Sequence, residues 1–161
     1  MPVSNWIAVL TLRLVWGACW SCVLTAVGLA IWGCTPALAA EQAEVAYAKG
    51  LVAYEERDYL EALEHFRMVL LLEPDNPHAH FYLGLCLSRL GEFSDAIVAL
   101  DKALQLDASL RYIHYHLGWA YLQDTRYAEA LDQFALAEQF DLHKATTQFY
   151  LGYAHHLLQH D

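Results

Sequence analysis

The feature that most constrains this chain is a period of 34 residues running through everything after its first forty positions. Gly50, Gly84, Gly118 and Gly152 recur at that step, as do Ala62, Ala96 and Ala130. Phe66, Leu100 and Phe134 keep the same spacing, and so do Tyr59, Phe93 and Tyr127. The local text repeats as well: Glu61-Ala62-Leu63, Asp95-Ala96-Ile97 and Glu129-Ala130-Leu131. A fixed period of this length means that one small structural unit is used several times, each burying its apolar side against the next.

Within each period the apolar residues fall into two blocks at helical spacing, separated by a short turn. The pattern predicts first helices over about Glu41–Glu55, Pro77–Leu90, Ser109–Gln123 and His143–His160. It predicts second helices over about Tyr59–Leu72, Phe93–Leu106 and Tyr127–Phe140. Asp75-Asn76-Pro77 supplies a turn, an Asn N-cap and a proline at the first helical position. Gly91 breaks the chain between two helices. Gly and Ala at the fixed step let neighbouring helices approach where a larger side chain would hold them apart.

This helix-turn-helix, with Leu83-Gly84, Leu117-Gly118-Trp119-Ala120-Tyr121, Leu151-Gly152, the small Ala62, Ala96 and Ala130 and the aromatic Phe66 and Phe134, resembles the tetratricopeptide repeat. The resemblance covers about residues 43–161, with repeats at 43–76, 77–110 and 111–144 and a capping helix at 145–161. The departures are Lys49 where Leu is usual, Val69 where later repeats have Ala103 and Ala137, and Ala108 and Leu142 where Pro74 closes the first repeat. The resemblance implies an all-α, right-handed solenoid of three helix pairs plus the cap, with the first helices lining a concave groove.

The first forty residues are of another kind. Their only charged side chain is Arg13, and residues 14–33 are uncharged. As a helix rising about 1.5 Å per residue, that stretch matches the roughly 30 Å of a bilayer's hydrocarbon core. With the positive charge before it and Glu41 and Glu44 after it, the body is expected on the far side of a membrane. Three fates remain open: a retained transmembrane anchor, a signal peptide cleaved after Ala39, or lipidation at Cys34. The domain division is therefore 1–40, signal or anchor, and 41–161, the repeat domain. Cys19-Trp20-Ser21-Cys22 has a redox-motif spacing but sits in this apolar run, without the βαβ pattern such sites use.

Residues 41–161 hold all 19 Asp and Glu and all but one of the 9 Lys and Arg. So acidic a body is repelled by phosphate backbones, which argues against nucleic acid as a partner. The residues that the family pattern aims into the groove are aromatic instead: Tyr47, Tyr54, Phe81, Tyr82, Tyr112, Tyr115, His116, Trp119, Phe149, Tyr150 and Tyr153. Rings with a polar tip suit binding hot spots, and an apolar groove seats a peptide or an amphipathic helix. Members of the family that grip acidic tails place Lys, Arg and Asn on this stripe. Here the places carry Tyr, Leu, Phe, His and Trp, so that clamp is not expected.

All nine histidines lie in the body. His80 and His114 occupy equivalent places on adjacent first helices, close enough in the array to approach one another. His156 and His160 stand four apart on one helical face, the spacing of a divalent metal pair. A metal- or haem-handling role is the alternative reading, although no third ligand is evident and no cofactor is implied. No nucleophile elbow, phosphate-cradling Gly loop or haem-attachment motif is present, so the chain does not read as an enzyme. The last helix, apolar on more than one side, is expected to dock a partner or a second copy of the chain.

Overall fold

The computed structural model describes residues 38–140 and 144–159. The stretch 14–33 expected to span a membrane, Cys34 and His160 lie outside the described residues. The chain divides between Glu41 and Gln42, and the repeats belong to the second part. Among the described residues there are seven α-helices and no strand. They are α1 (38–55), α2 (Tyr59–Leu72), α3 (Pro77–Leu90), α4 (Phe93–Leu106), α5 (Ile113–Gln123), α6 (Tyr127–Gln139) and α7 (Lys144–Leu158).

Local chemistry sets the boundaries. Asp58 caps α2 by accepting the Glu61 N–H at 3.1 Å, and Asn76 caps α3 by accepting the Ala79 N–H at 3.0 Å, with Pro77 opening the helix. Gly91 ends α3 in the left-handed conformation, φ 87°. The same turn recurs one period to either side, at Arg57 (φ 66°) and Thr125 (φ 62°). In all three the next N–H reaches back five residues: Asp58 to the Ala53 carbonyl at 2.9 Å, Glu92 to Leu87 at 3.0 Å and Arg126 to Tyr121 at 2.9 Å. These are Schellman closures, and two of the three run through residues that favour right-handed backbone.

One boundary departs from the sequence expectation. The helix expected from Ser109 begins at Ile113 instead. Leu110 and Arg111 stand where Asn76 and Pro77 start α3, and Leu110 is buried in the core rather than free to cap. The carboxylate of Asp107 accepts the Ser109 N–H at 2.9 Å and holds the chain in a turn until Ile113. Tyr112 thus sits at the cap of α5 and not inside it.

From α2 onward each helix packs on the next in sequence, direct contacts also join α3 to α5 and α5 to α7, and Tyr47 of α1 meets both Phe66 of α2 and Tyr82 of α3. The first helices therefore form one continuous inner row. Phe66, Leu100 and Phe134, all fully buried, project from the second helices onto Gly50, Gly84 and Gly118. The first helix of the following repeat then covers them: Tyr82 stacks on Phe66 at 5.3 Å between centroids, and Tyr150 on Phe134 at 5.7 Å. Among the described residues the ion pairs (His65–Glu61, Arg67–Glu64, Arg126–Glu129) each lie within one helix or its cap. Packing, not charge pairing, holds the repeats together.

Candidate functional site

The inner row carries a chain of ring contacts that crosses every repeat boundary described. Tyr47 meets Tyr82 at 6.0 Å, Tyr82 meets Phe81 at 5.2 Å, and Phe81 meets His116 at 5.5 Å. His116 meets Tyr115 at 5.3 Å, Tyr115 meets Tyr150 at 6.3 Å, and Tyr150 meets Phe149 at 5.4 Å. Phe149 stacks on Tyr153 at 6.4 Å. Tyr54 joins the row through Tyr82 at 5.8 Å and Tyr112 through Phe81 at 4.8 Å. Trp119 stands beside it, edge-on to Phe93 at 5.7 Å. Ten of the eleven ring positions expected in the groove are thus linked by ring contacts and Trp119 lies beside them, though they are not equally exposed. Phe81 is 5% exposed and supports its neighbours, whereas Phe149 is 67% and Tyr153 45% exposed.

Burial moves four of the tyrosines, Tyr47, Tyr54, Tyr112 and Tyr115, further from ionisation. It pushes Tyr47 up to about 12, with Tyr82 and Tyr112 adding to the effect, and it raises Tyr112 and Tyr115 as well. Tyr54 is also raised by burial, against the pull of the Arg89 guanidinium that hydrogen-bonds its hydroxyl. A tyrosine hydroxyl in its neutral form can both donate and accept.

Between α3, α5 and α7 the inner row opens into a recess of about 260 Å³ lined by Leu85, Ser88, Arg89, Tyr115, His116, Trp119 and Tyr150. The Ser88 hydroxyl is buried in its wall without a hydrogen-bond partner. An unsatisfied buried hydroxyl costs about 1–3 kcal/mol, so it calls for an explanation. Sequence reasoning did not single out this recess or Ser88. The only available signal was a Ser-Arg pair at the end of an otherwise apolar helix.

His80 and His114 have partners of their own among the described residues. His80 meets the Pro74 carbonyl at 2.9 Å, while the Nδ1 of His114 meets Gln133 at 2.9 Å and its ring stacks on Phe140 at 5.8 Å. The two equivalent rings expected to approach one another are engaged elsewhere. Among the described residues no group of three or more His, Cys, Asp or Glu is placed to hold a metal ion. Cys86 is fully buried, and burial pushes its thiol up to about 12. Asp101, which looks in sequence like an acid of the outer face, is half-buried, and burial raises its carboxyl against the lowering effects of Arg126 and a hydrogen bond with Tyr121. No described helix is long and apolar enough to cross a membrane.

The fold and this surface define a helical-repeat module of the kind that binds other proteins. The chain belongs to the tetratricopeptide repeat family, whose model matches residues 47–111 and 89–144. No curated protein matches it. Among solved structures it is similar to the TPR domain of Arabidopsis OM64, with 22% identity over 71% of this chain and 94% of that one and a TM-score of 0.67. It is also similar to the Yersinia enterocolitica type III secretion chaperone SycD in complex with a peptide of the translocator YopD (20% identity, 73% and 94% covered, TM-score 0.65). A further likeness is to a mutant form of MamA, with 31% identity over 62% of this chain and 73% of that one and a TM-score of 0.59.

Proposed function

We propose that this chain is an interaction module that holds a peptide or amphipathic helix of another protein along the inner row of rings, without catalysing a reaction. The observation that carries the reading is the unbroken row from Tyr47 to Tyr153, which ends in the exposed rings of Phe149 and Tyr153. Rings of this kind bury much area at small entropic cost, which is the economy of a binding hot spot. The peptide-bound SycD structure supports the reading, since a fold like this one accommodates such a ligand there.

In the same reading residues 14–33 deliver or anchor the body across a membrane, where it helps to assemble a membrane or envelope complex. The end of that row on α7, where Phe149 and Tyr153 are exposed together with Leu158, also offers a contact to a second partner or to another copy. The test is Tyr115→Ala combined with Trp119→Ala in the full chain, followed by quantitative partner capture. Each hot-spot ring is expected to be worth about 2 kcal/mol or more, roughly thirtyfold in affinity. Capture unchanged while helicity is retained would place the binding surface elsewhere.

A further inference from the structure

The glycine register has an exception on α7. A Cβ on Gly50, Gly84 or Gly118 would lie 3.0, 2.6 or 2.8 Å from the side chain seated there, whereas one on Gly152 would meet nothing within 4 Å. Each seated side chain, Phe66, Leu100 or Phe134, has an Ala four residues before it (Ala62, Ala96, Ala130). Each also has a small or branched residue three after it (Val69, Ala103, Ala137). The same spacing occurs inside α7, as Ala145, Phe149 and Gly152. All three are exposed, and with the exposed Tyr153 and His156 they share the face opposite the buried Thr147 and Ala154. One helix thus offers both an empty glycine seat and the kind of side chain that fills such seats elsewhere in the chain.

We propose that two copies of the chain pair through α7, with the helices antiparallel and Phe149 of each seated on Gly152 of the other. Antiparallel is also the sense in which the two helices of each repeat meet, since a short turn joins them. A twofold contact must be self-complementary, and a seat and its filler three residues apart on one helix satisfy both directions at once. The same register sets Ala145 opposite the second copy's His156, small against large, so the contact runs along the whole helix. Charge selects this face over the other exposed apolar stripe. Leu38, Val45 and Val52 line α1 and are half-exposed, but the exposed Glu41, Glu44 and Glu55 stand on that helix, and two such helices would repel. In α7 there is no acid. A single helix pair buries less than the roughly 1,200 Å² of a stable complex, so the pairing is weak, with a Kd on the order of tens of micromolar. The inference rests on the reading of α7's exposed end as a contact surface, and names its occupant; it does not depend on a peptide in the groove.

The test uses the full chain in detergent micelles, with a benzophenone amino acid in place of the exposed Thr146 at the edge of this face. In the proposed register that position lies opposite the second copy's His155. Illumination is expected to give a crosslinked dimer whose yield rises with concentration and whose adduct maps to the last turn of α7. Phe149→Ala removes the filler and Gly152→Phe blocks the seat, and each is expected to lower the yield at least about fivefold. Both positions are exposed in the single chain, so circular dichroism should show the helices retained. The double variant exchanges filler and seat, and its yield is expected to return to within about twofold of the parent. Nonspecific adhesion of exposed rings would instead make Gly152→Phe crosslink more, which would overturn the inference. So would the absence of a dimer at every concentration, an adduct that maps outside α7, or a dimer indifferent to both single changes. A chain that forms no such dimer yet captures another protein, and loses it with Phe149→Ala, would overturn the pairing and leave α7's end as a contact for a second partner. The groove reading is tested separately at Tyr115 and Trp119 and does not fall with this one.

Discussion

Four glycines share one register, which makes them a graded experiment on what holds the repeats together. Replacing any of them by Ala gains helix propensity worth about 1 kcal/mol. What differs is the space. A Cβ on Gly84 would lie 2.6 Å from Leu100 Cγ and 3.2 Å from the Ala96 carbonyl oxygen; the branch carbon sits close to its own backbone and has little room to swing away. On Gly118 it would meet three Phe134 ring atoms between 2.8 and 3.0 Å, and Tyr150 stacked behind that ring blocks its retreat. On Gly50 it would touch the edge of Phe66 at 3.0 Å, and on Gly152 it would meet nothing within 4 Å, because no second helix follows α7 among the described residues. Overpacking a tight site costs about 1–3 kcal/mol. Gly152→Ala is therefore expected to stabilise by about 1 kcal/mol and Gly50→Ala to be close to neutral. Gly84→Ala and Gly118→Ala are each expected to lose about 1–2 kcal/mol net, as the overpacking cost outweighs the propensity gain. Thermal melts of the four variants, followed by far-ultraviolet circular dichroism, would show a rise of roughly 4 °C for Gly152→Ala and comparable falls for Gly84→Ala and Gly118→Ala. If Gly152→Ala destabilised as much as Gly118→Ala, the steric account of the period would be wrong.

Thr125 occupies the left-handed turn position that Gly91 fills one period earlier. Thr125→Gly is therefore expected to stabilise by about 1 kcal/mol, measured by the same melts, with the larger part of the gain from relieved backbone strain. The Ser109 hydroxyl and N–H hold the Asp107 carboxyl below the usual carboxylate range. Its contribution to stability is thus present above the unfolded carboxyl's pKa and lost as pH falls through the lowered folded value, and carbon-detected NMR titration of Ser109→Ala should show that value moving back up. Cys86 is expected to remain unlabelled by a maleimide in the native chain at neutral pH and to label after denaturation, read by peptide mass mapping, since its thiol is both buried and protonated.

The fold was legible because the repeat writes its signal several times. The bounds of α2, α3 and α4 follow from the hydrophobic period and from residues with a local mechanism, such as the Asn76 cap, Pro77 and Gly91. The start of α5 was not legible, because Leu110 carries the apolar pattern of a helix while occupying a cap position it cannot fill. Nor do Arg57 and Thr125 announce a left-handed backbone; only their distance from Gly91 does, and that acquires meaning once the turn is seen. The ring row was readable from helical spacing and the family pattern. Which rings are spent on packing, as Phe81 is, and which face outward, as Phe149 does, depends on neighbouring helices that one helix's pattern does not contain. The recess at Ser88 and Arg89 was missed for the same reason: it is made by three helices, and no single one of them shows it.

The central claim is that a partner lies along the inner row. The most direct measurement is site-specific photocrosslinking in cells that make the protein, with a benzophenone amino acid at Trp119, which lines the recess, or at Val98, 68% exposed on a second helix. The account predicts a discrete protein adduct from position 119 and none from position 98. An adduct from position 98 with none from 119 would contradict it.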